Sequence, residues 1–174
     1  MIVTGDPAVA ARARVLVNVG QSTGEDYMYE TIGYNYRMTN IAGAIGLAQL
    51  PRLDGWNEIR RTHAARFTTA FAALDWMMPP VEPAGYFHVY NQYTIRIPDR
   101  RQRFLSYLAE HRIGHRVYYP HLVPHSPAYR RLGFGGSYPV AEQLAAQVVS
   151  LPVHPALSDD DVERIIDAVI RFRG

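Results

Sequence analysis

Residues 33–37 read Gly-Tyr-Asn-Tyr-Arg. Gly33 permits a backbone conformation closed to other residues. Asn35 offers a neutral amide donor, and Arg37 a planar fork of donors suited to phosphate or carboxylate. The plainer alternative is an ordinary turn before a helix, with a satisfied Asn and a surface Arg. All 18 Lys and Arg residues are arginine. No ε-amine is therefore available for a covalent bond to a carbonyl compound, a task no guanidinium performs. Cysteine is absent. That excludes disulfides, thiolate catalysis, iron–sulfur clusters and Cys-ligated zinc. His88, His121, His125 and His154 lack the short spacing of a structural zinc site and have no Cys or acidic ligand among them, so they read as core or pocket histidines. The GFGGS run at 133–137 follows no strand and opens no helix with a Lys, so it reads as a flexible loop. The basic cluster at 99–103 is continued by no basic stripe and reads as a solvated face.

These groups must be positioned by regular elements. Asp6 followed by Pro7 predicts a helix start, and that helix runs to about Leu16. Thr39 caps the next helix, whose face carries Ile41, Ala42, Ile45, Gly46 and Gln49; its small residues allow close backbone approach. Pro51 interrupts it. Leu53, Trp56, Arg60, His63, Phe67, Phe71 and Leu74 then recur at helical spacing, predicting a long amphipathic helix to Leu74. The Pro-rich stretch Met77–Gly85 reads as a connector and domain boundary. HVYNQYTIRI (88–97) alternates as a strand does, and Ile113–Tyr119 predicts a second strand. Asp99 is expected to cap a helix running to about His111, and Pro127–Leu132 to form one turn. Val140, Leu144 and Val148 predict a stripe on a helix that starts at Tyr138-Pro139. Ser158 with Asp159, Asp160 and Asp161 starts a last helix with Val162, Ile165, Ile166 and Val169 on its core face. The opening run Met1–Thr4 is strand-like with nothing before it to pair with, and looks cut from something larger.

The chain has 174 residues, 48% hydrophobic and 20% charged, with a net charge of +2. This is the balance of an ordinary globular domain with a substantial core. So small a net charge gives nucleic-acid binding no support. No apolar run is long enough to span a bilayer and no signal peptide is evident, so no membrane partner and a cytoplasmic location are expected.

The GYNYRMTNIAGAIGLAQL segment (33–50) resembles the dimer-interface segment of the DegT/StrS nucleotide-sugar aminotransferases, pyridoxal-phosphate enzymes of fold type I. The likeness extends over essentially the whole chain. MIVT resembles the strand after the loop that carries the cofactor lysine, which implies that this lysine stands just upstream. ARARVLVNVGQ (11–21) is similar to the helix and turn that follow. HVYNQYTIRI resembles the first strand of the small domain, VYYP (117–120) the start of the loop lining the sugar pocket, and SLPVHPALSDDDVERI (150–165) the closing loop and helix. There are departures. Pro124 stands at the usual histidine position, with His121 and His125 on either side, and Asn91 stands where relatives often carry His.

The resemblance implies an α/β fold with an α+β small domain: the C-terminal portion of a fold-type-I transferase, with a short sheet packed by helices plus a long linking helix. Residues 1–50 would be a remnant of the large cofactor domain and the dimer segment, 51–87 the linking helix and connector, and 88–174 the small domain. It implies pyridoxal 5'-phosphate as cofactor in the complete enzyme and a homodimer in which Asn35 donates to the neighbouring subunit's cofactor phosphate. Arg37, Tyr34, His88, Tyr119, His121 and His125 would contact substrate, and no catalytic residue would lie in this chain. The substrates would be a nucleotide-linked keto-sugar and an amino-acid donor. Two rivals remain: a non-catalytic dimerisation or regulatory remnant of the same fold, and a dehydratase relative in which another residue replaces the lysine.

Overall fold

A computed structural model describes residues 2–173 and divides into two compact units, Met1–Pro51 and Arg52–Gly174.

In the first unit, helix α1 (Pro7–Val17) begins as its sequence requires: the Asp6 carboxylate accepts from the amides of Ala8 and Val9, and Pro7 fills the first turn. Residues 18–37 fold back along its C-terminal end, with antiparallel bridges Asn18–Asn35 and Gln21–Tyr29. Helix α2 (Asn40–Gln49) is capped by the Thr39 side chain, which accepts from the Ala42 amide. None of its residues is buried. Ile2–Thr4 join no strand, contrary to expectation, and Met1 lies outside the described residues.

The second unit holds a continuous core. Helix α3 (Leu53–Phe71) stops short of Leu74. Strand β1 (Tyr93–Arg96) pairs antiparallel with β2 (Val148–Leu151), with Tyr93 opposite Leu151 and Ile95 opposite Val149. Helices α4 (Arg101–Glu110), α5 (Pro127–Arg131), α6 (Pro139–Gln147) and α7 (Asp159–Arg171) complete it. Phe67 and Phe71 of α3, Tyr93 and Ile95 of β1, Phe104 and Leu108 of α4, and Val162 and Val169 of α7 are buried together. Tyr93 meets Phe67 edge-on at 5.2 Å and its hydroxyl bonds Thr68 at 2.9 Å. Burial pushes that phenol up to about 12. On the surface Arg66 of α3 pairs with Asp159 and Glu163 of α7, at 2.5 and 2.6 Å.

Three sequence expectations need correction. The strand expected over 88–97 is confined to 93–96. Tyr90 has positive φ (44°), and its amide donates to His88 Nδ1 at 2.9 Å, so residues 88–90 turn rather than extend. The second strand is 148–151, not 113–119. Val148 leaves the helix as its C-terminal cap in extended conformation, and its neighbours enter the ladder. The 113–119 segment contributes one bridge, Arg116 exchanging backbone bonds with Ser150 at 3.1 and 2.7 Å. Lastly, Asp99 is not the cap: α4 starts at Arg101 with Arg100 as its N-cap residue and no side-chain cap bond.

Candidate active-site segments

The first unit presents the 33–37 turn on a pinned backbone. The Tyr34 amide donates to the Leu16 carbonyl at 2.9 Å, Tyr36 to Val17 at 3.0 Å, and Val19 to Tyr34 at 3.0 Å. Gly33 is required here by crowding, not by left-handed φ. A Cβ at Gly33 would sit 2.3 Å from the Gly20 nitrogen and 2.6 Å from the Leu16 oxygen, both backbone atoms. Gly20 does need positive φ (83°), and a Cβ there would collide with the Thr31 carbonyl. On this scaffold the Arg37 guanidinium donates to Asn18 Oδ1, and the rings of Tyr34 and Tyr36 stack at 5.4 Å. The exposed Asn35 side chain makes no hydrogen bond among the described residues, so its donors and acceptor are free. Secondary structure thus fixes the turn's main chain and leaves this one amide unused.

The second unit carries the other expected contacts, and it does not bring them all together. His121 and His125 line one cavity of about 680 Å³, with Arg101, Arg130 and Glu142. His125 Nε2 donates to the Gly136 carbonyl at 2.9 Å, which leaves Nδ1 as an acceptor when the ring is neutral. Tyr119 is exposed beside this loop but does not line the cavity. His88 belongs to a different network. Its Nδ1 accepts from Tyr90, so a neutral ring carries its proton on Nε2; its carbonyl accepts from Arg61 at 2.7 Å and its amide donates to Glu82. Glu82 is held below the usual carboxylate range, first by the Arg61 hydrogen bond and further by the His88 amide and Arg61's charge. The Pro-rich connector is tied to α3 by this Arg61–Glu82–His88 set, a role that the sequence did not reveal. His63 of α3 was also unmarked: it is buried, and neither ring nitrogen has a partner.

The sequence profile described as the DegT/DnrJ/EryC1/StrS aminotransferase family matches residues 1–170. The chain belongs to that family. It is 37% identical over 169 residues to a dTDP-3-amino-3,4,6-trideoxy-alpha-D-glucose transaminase of Streptomyces venezuelae, covering 97% of this chain and 44% of the relative. It is 35% identical to a "pleiotropic regulatory protein" of Geobacillus stearothermophilus, covering 99% of this chain and 46% of that one. Among solved structures, S. venezuelae DesV in complex with a ketimine intermediate superposes with a TM-score of 0.88 at 38% identity, over 96% of this chain and 44% of that one. The fold is accordingly that of the C-terminal portion of a fold-type-I aminotransferase. The chain spans less than half the length of these relatives.

Proposed function

We propose that the chain works as the C-terminal part of a pyridoxal-phosphate-dependent aminotransferase that moves an amino group from an amino acid to a nucleotide-linked keto-sugar. The observation carrying this reading is the free, exposed Asn35 amide on a backbone fixed by Gly33 and α1. The residues present fit one edge of the cofactor. Asn35 gives a phosphate a neutral donor, and Arg37, oriented by Asn18, keeps further N–H groups for an anion. With no lysine in the chain, the covalent anchor and base must come from elsewhere. When bound, the cofactor supplies the electron sink that lets a proton leave the donor's α-carbon.

This chain's own residues bind and orient. Asn35 acts in trans on the phosphate held by a second subunit of a homodimer, and the apolar, unburied α2 packs at that interface. Arg37 and Tyr34 hold the substrate's anionic and ring portions beside it. In its own network with Arg61 and Glu82, His88 offers Nε2–H to a sugar hydroxyl; in the separate cavity that it shares with His121, His125 offers Nδ1 as an acceptor, with Tyr119 exposed beside that loop.

A mixed dimer tests the reading. In a longer enzyme that supplies such a lysine, one subunit carries Asn35→Ala and the other a replacement of that lysine. If sites are shared, one holds both defects and the other neither, so activity recovers to about half of wild type per dimer. No recovery in a verified heterodimer defeats the trans assignment. Asn35→Ala by itself should weaken cofactor retention by about 1.5–3 kcal/mol, one charge-assisted hydrogen bond.

A second reading, a non-catalytic regulatory or dimerisation protein, is favoured by the regulatory name of the G. stearothermophilus relative and by the absence of lysine from these 174 residues. Wild-type protein that dimerises but neither retains the cofactor nor transaminates supports it.

A further inference from the structure

His63, Gln147 and Ser150 are buried polar side chains of the second unit. Two of them are satisfied. Gln147 Oε1 accepts from Arg96 at 2.8 Å, and the Ser150 hydroxyl bonds that of Thr94 at 2.8 Å. His63 is different: it is 6% exposed, and neither ring nitrogen meets solvent or a partner among the described residues. Such a site tolerates the neutral ring far better than the charged one, because an unpaired buried charge costs much more than an unpaired buried dipole.

The ring lies at a joint between two helices. Arg66 is three residues further along α3 and so shares the face of His63. It reaches Asp159 at 2.5 Å and Glu163 at 2.6 Å, both in the first two turns of α7. This face of α3 is therefore turned to the start of α7. The titratable and charged groups facing the ring are Arg66 on its own helix, Asp159 on α7 and His154 in the loop between β2 and α7. Arg66 and protonated His154 would repel an imidazolium. Asp159 would attract one, but its carboxylate is engaged by Arg66 and its side chain is 87% exposed. Ion pairs so open to water hold weakly, so the joint depends on the neutral ring packed beneath them. The loop it secures has a surface of its own. Pro152, Val153 and His154 form one wall of a cavity of about 450 Å³ that Arg60 and Arg116 also line.

We propose that His63 is a proton-triggered release: a proton on the buried ring drives it from its site and frees residues 152–159 from α3, opening the cavity wall that Pro152, Val153 and His154 form. This device does not rest on the transaminase reading, and its test involves no turnover.

The test is amide hydrogen exchange of the 174-residue chain at pH 7.5 and 5.5, corrected for the pH dependence of the chemical step. The reporters are Leu157, whose amide donates to the His154 carbonyl, and Asp161 and Val162, whose amides donate to Ser158. Their protection should fall in acid by up to about tenfold, the limit in which only the released ring, at its ordinary value of 6.5, takes up the proton. Ile97 and Phe104, whose amides donate to the Gln147 and Arg100 carbonyls, should keep theirs. In His63→Leu the loss should vanish, and in His154→Gln it should remain. Wild-type protein gives a check that needs no variant: the His63 ring resonance should titrate at the midpoint of the protection loss. Three outcomes overturn the proposal. They are protection that holds at pH 5.5, an equal loss at Ile97 and Phe104, which is global unfolding, and a loss that survives His63→Leu but disappears in His154→Gln.

Discussion

The two compact units spend their apolar residues in opposite ways. In Arg52–Gly174, Phe67, Phe71, Phe104, Ile95 and Val169 are wholly buried, and four elements share one core. Among the described residues of Met1–Pro51 the only buried large side chain is Val15, while Ile32, Met38, Ile41 and Leu47 are all more than three-quarters exposed. One unit is stabilised by burial within itself. The other is held by caps, by backbone bonds to α1 and by close glycine contacts, and it keeps an apolar surface that is satisfied only by covering. The same chain thus holds one unit built around its own core and one whose apolar side chains lie mostly on its surface.

Truncation separates the two most sharply. Phe67→Ala should cost about 3–5 kcal/mol in urea unfolding, since it removes a fully buried ring packed on Phe71 and Tyr93. Leu47→Ala on α2 should change the same measurement by no more than about 0.5 kcal/mol. Equal losses would mean that α2 is buried in the chain by itself and would undo the contrast. Next in size is Gly33→Ala, at roughly 1–3 kcal/mol of overpacking, because the new methyl meets backbone on two sides. Its local signature is faster amide exchange at Tyr34 and Tyr36, whose hydrogen bonds hold the turn; unchanged exchange would contradict the crowding argument. Smaller again is Ser158→Ala. It breaks the reciprocal cap in which the Ser158 hydroxyl accepts from the Asp161 amide and Asp161 accepts from the Ser158 amide, for about 1 kcal/mol by thermal melting.

The last prediction concerns pH. Burial lowers the pKa of His63, and the nearby charges of Arg66 and His154 add to this against the opposing Asp159. The unfolded chain then takes up a proton at a pH where the folded chain does not. Stability contributed by neutral His63 is therefore full above the unfolded value of 6.5 and is lost as pH falls from there towards the lower folded value. Glu82 and Asp161, both lowered carboxylates, act only in the more acid range below their ordinary values. Urea midpoints should fall between pH 7.5 and 5.5 in wild type and flatten in His63→Leu. A slope that survives the substitution would assign the effect to another group.

Much of the fold was legible because local rules agree with the final structure. Asp6, Thr39 and Ser158 cap where their side chains predict, and the stripe Val162, Ile165, Ile166, Val169 is the buried face of α7. The errors fall where one residue suits two states. Val148 continues a helical stripe and equally opens a β-branched run, and only the availability of β1 as a pairing partner selects the strand. HVYNQ alternates like a strand, but the Arg61–Glu82–His88 contacts and the Tyr90 turn hold it out of the ladder.

The candidate sites divide along the same line. Sequence alone determined the family, the absence of lysine and cysteine, the capped helices and the chemical character of the 33–37 turn, because these follow from residue types at fixed spacing. Tertiary structure decided that Gly33 is there for crowding, that Asn35 has a free amide, and that His88 belongs to a different network from His121 and His125. It also decided that Arg60, distant in sequence from Arg116 and His154, shares a cavity with them. Proximity between residues from separate elements depends on how the elements pack around the core, and packing is a property of the whole unit that no local pattern encodes.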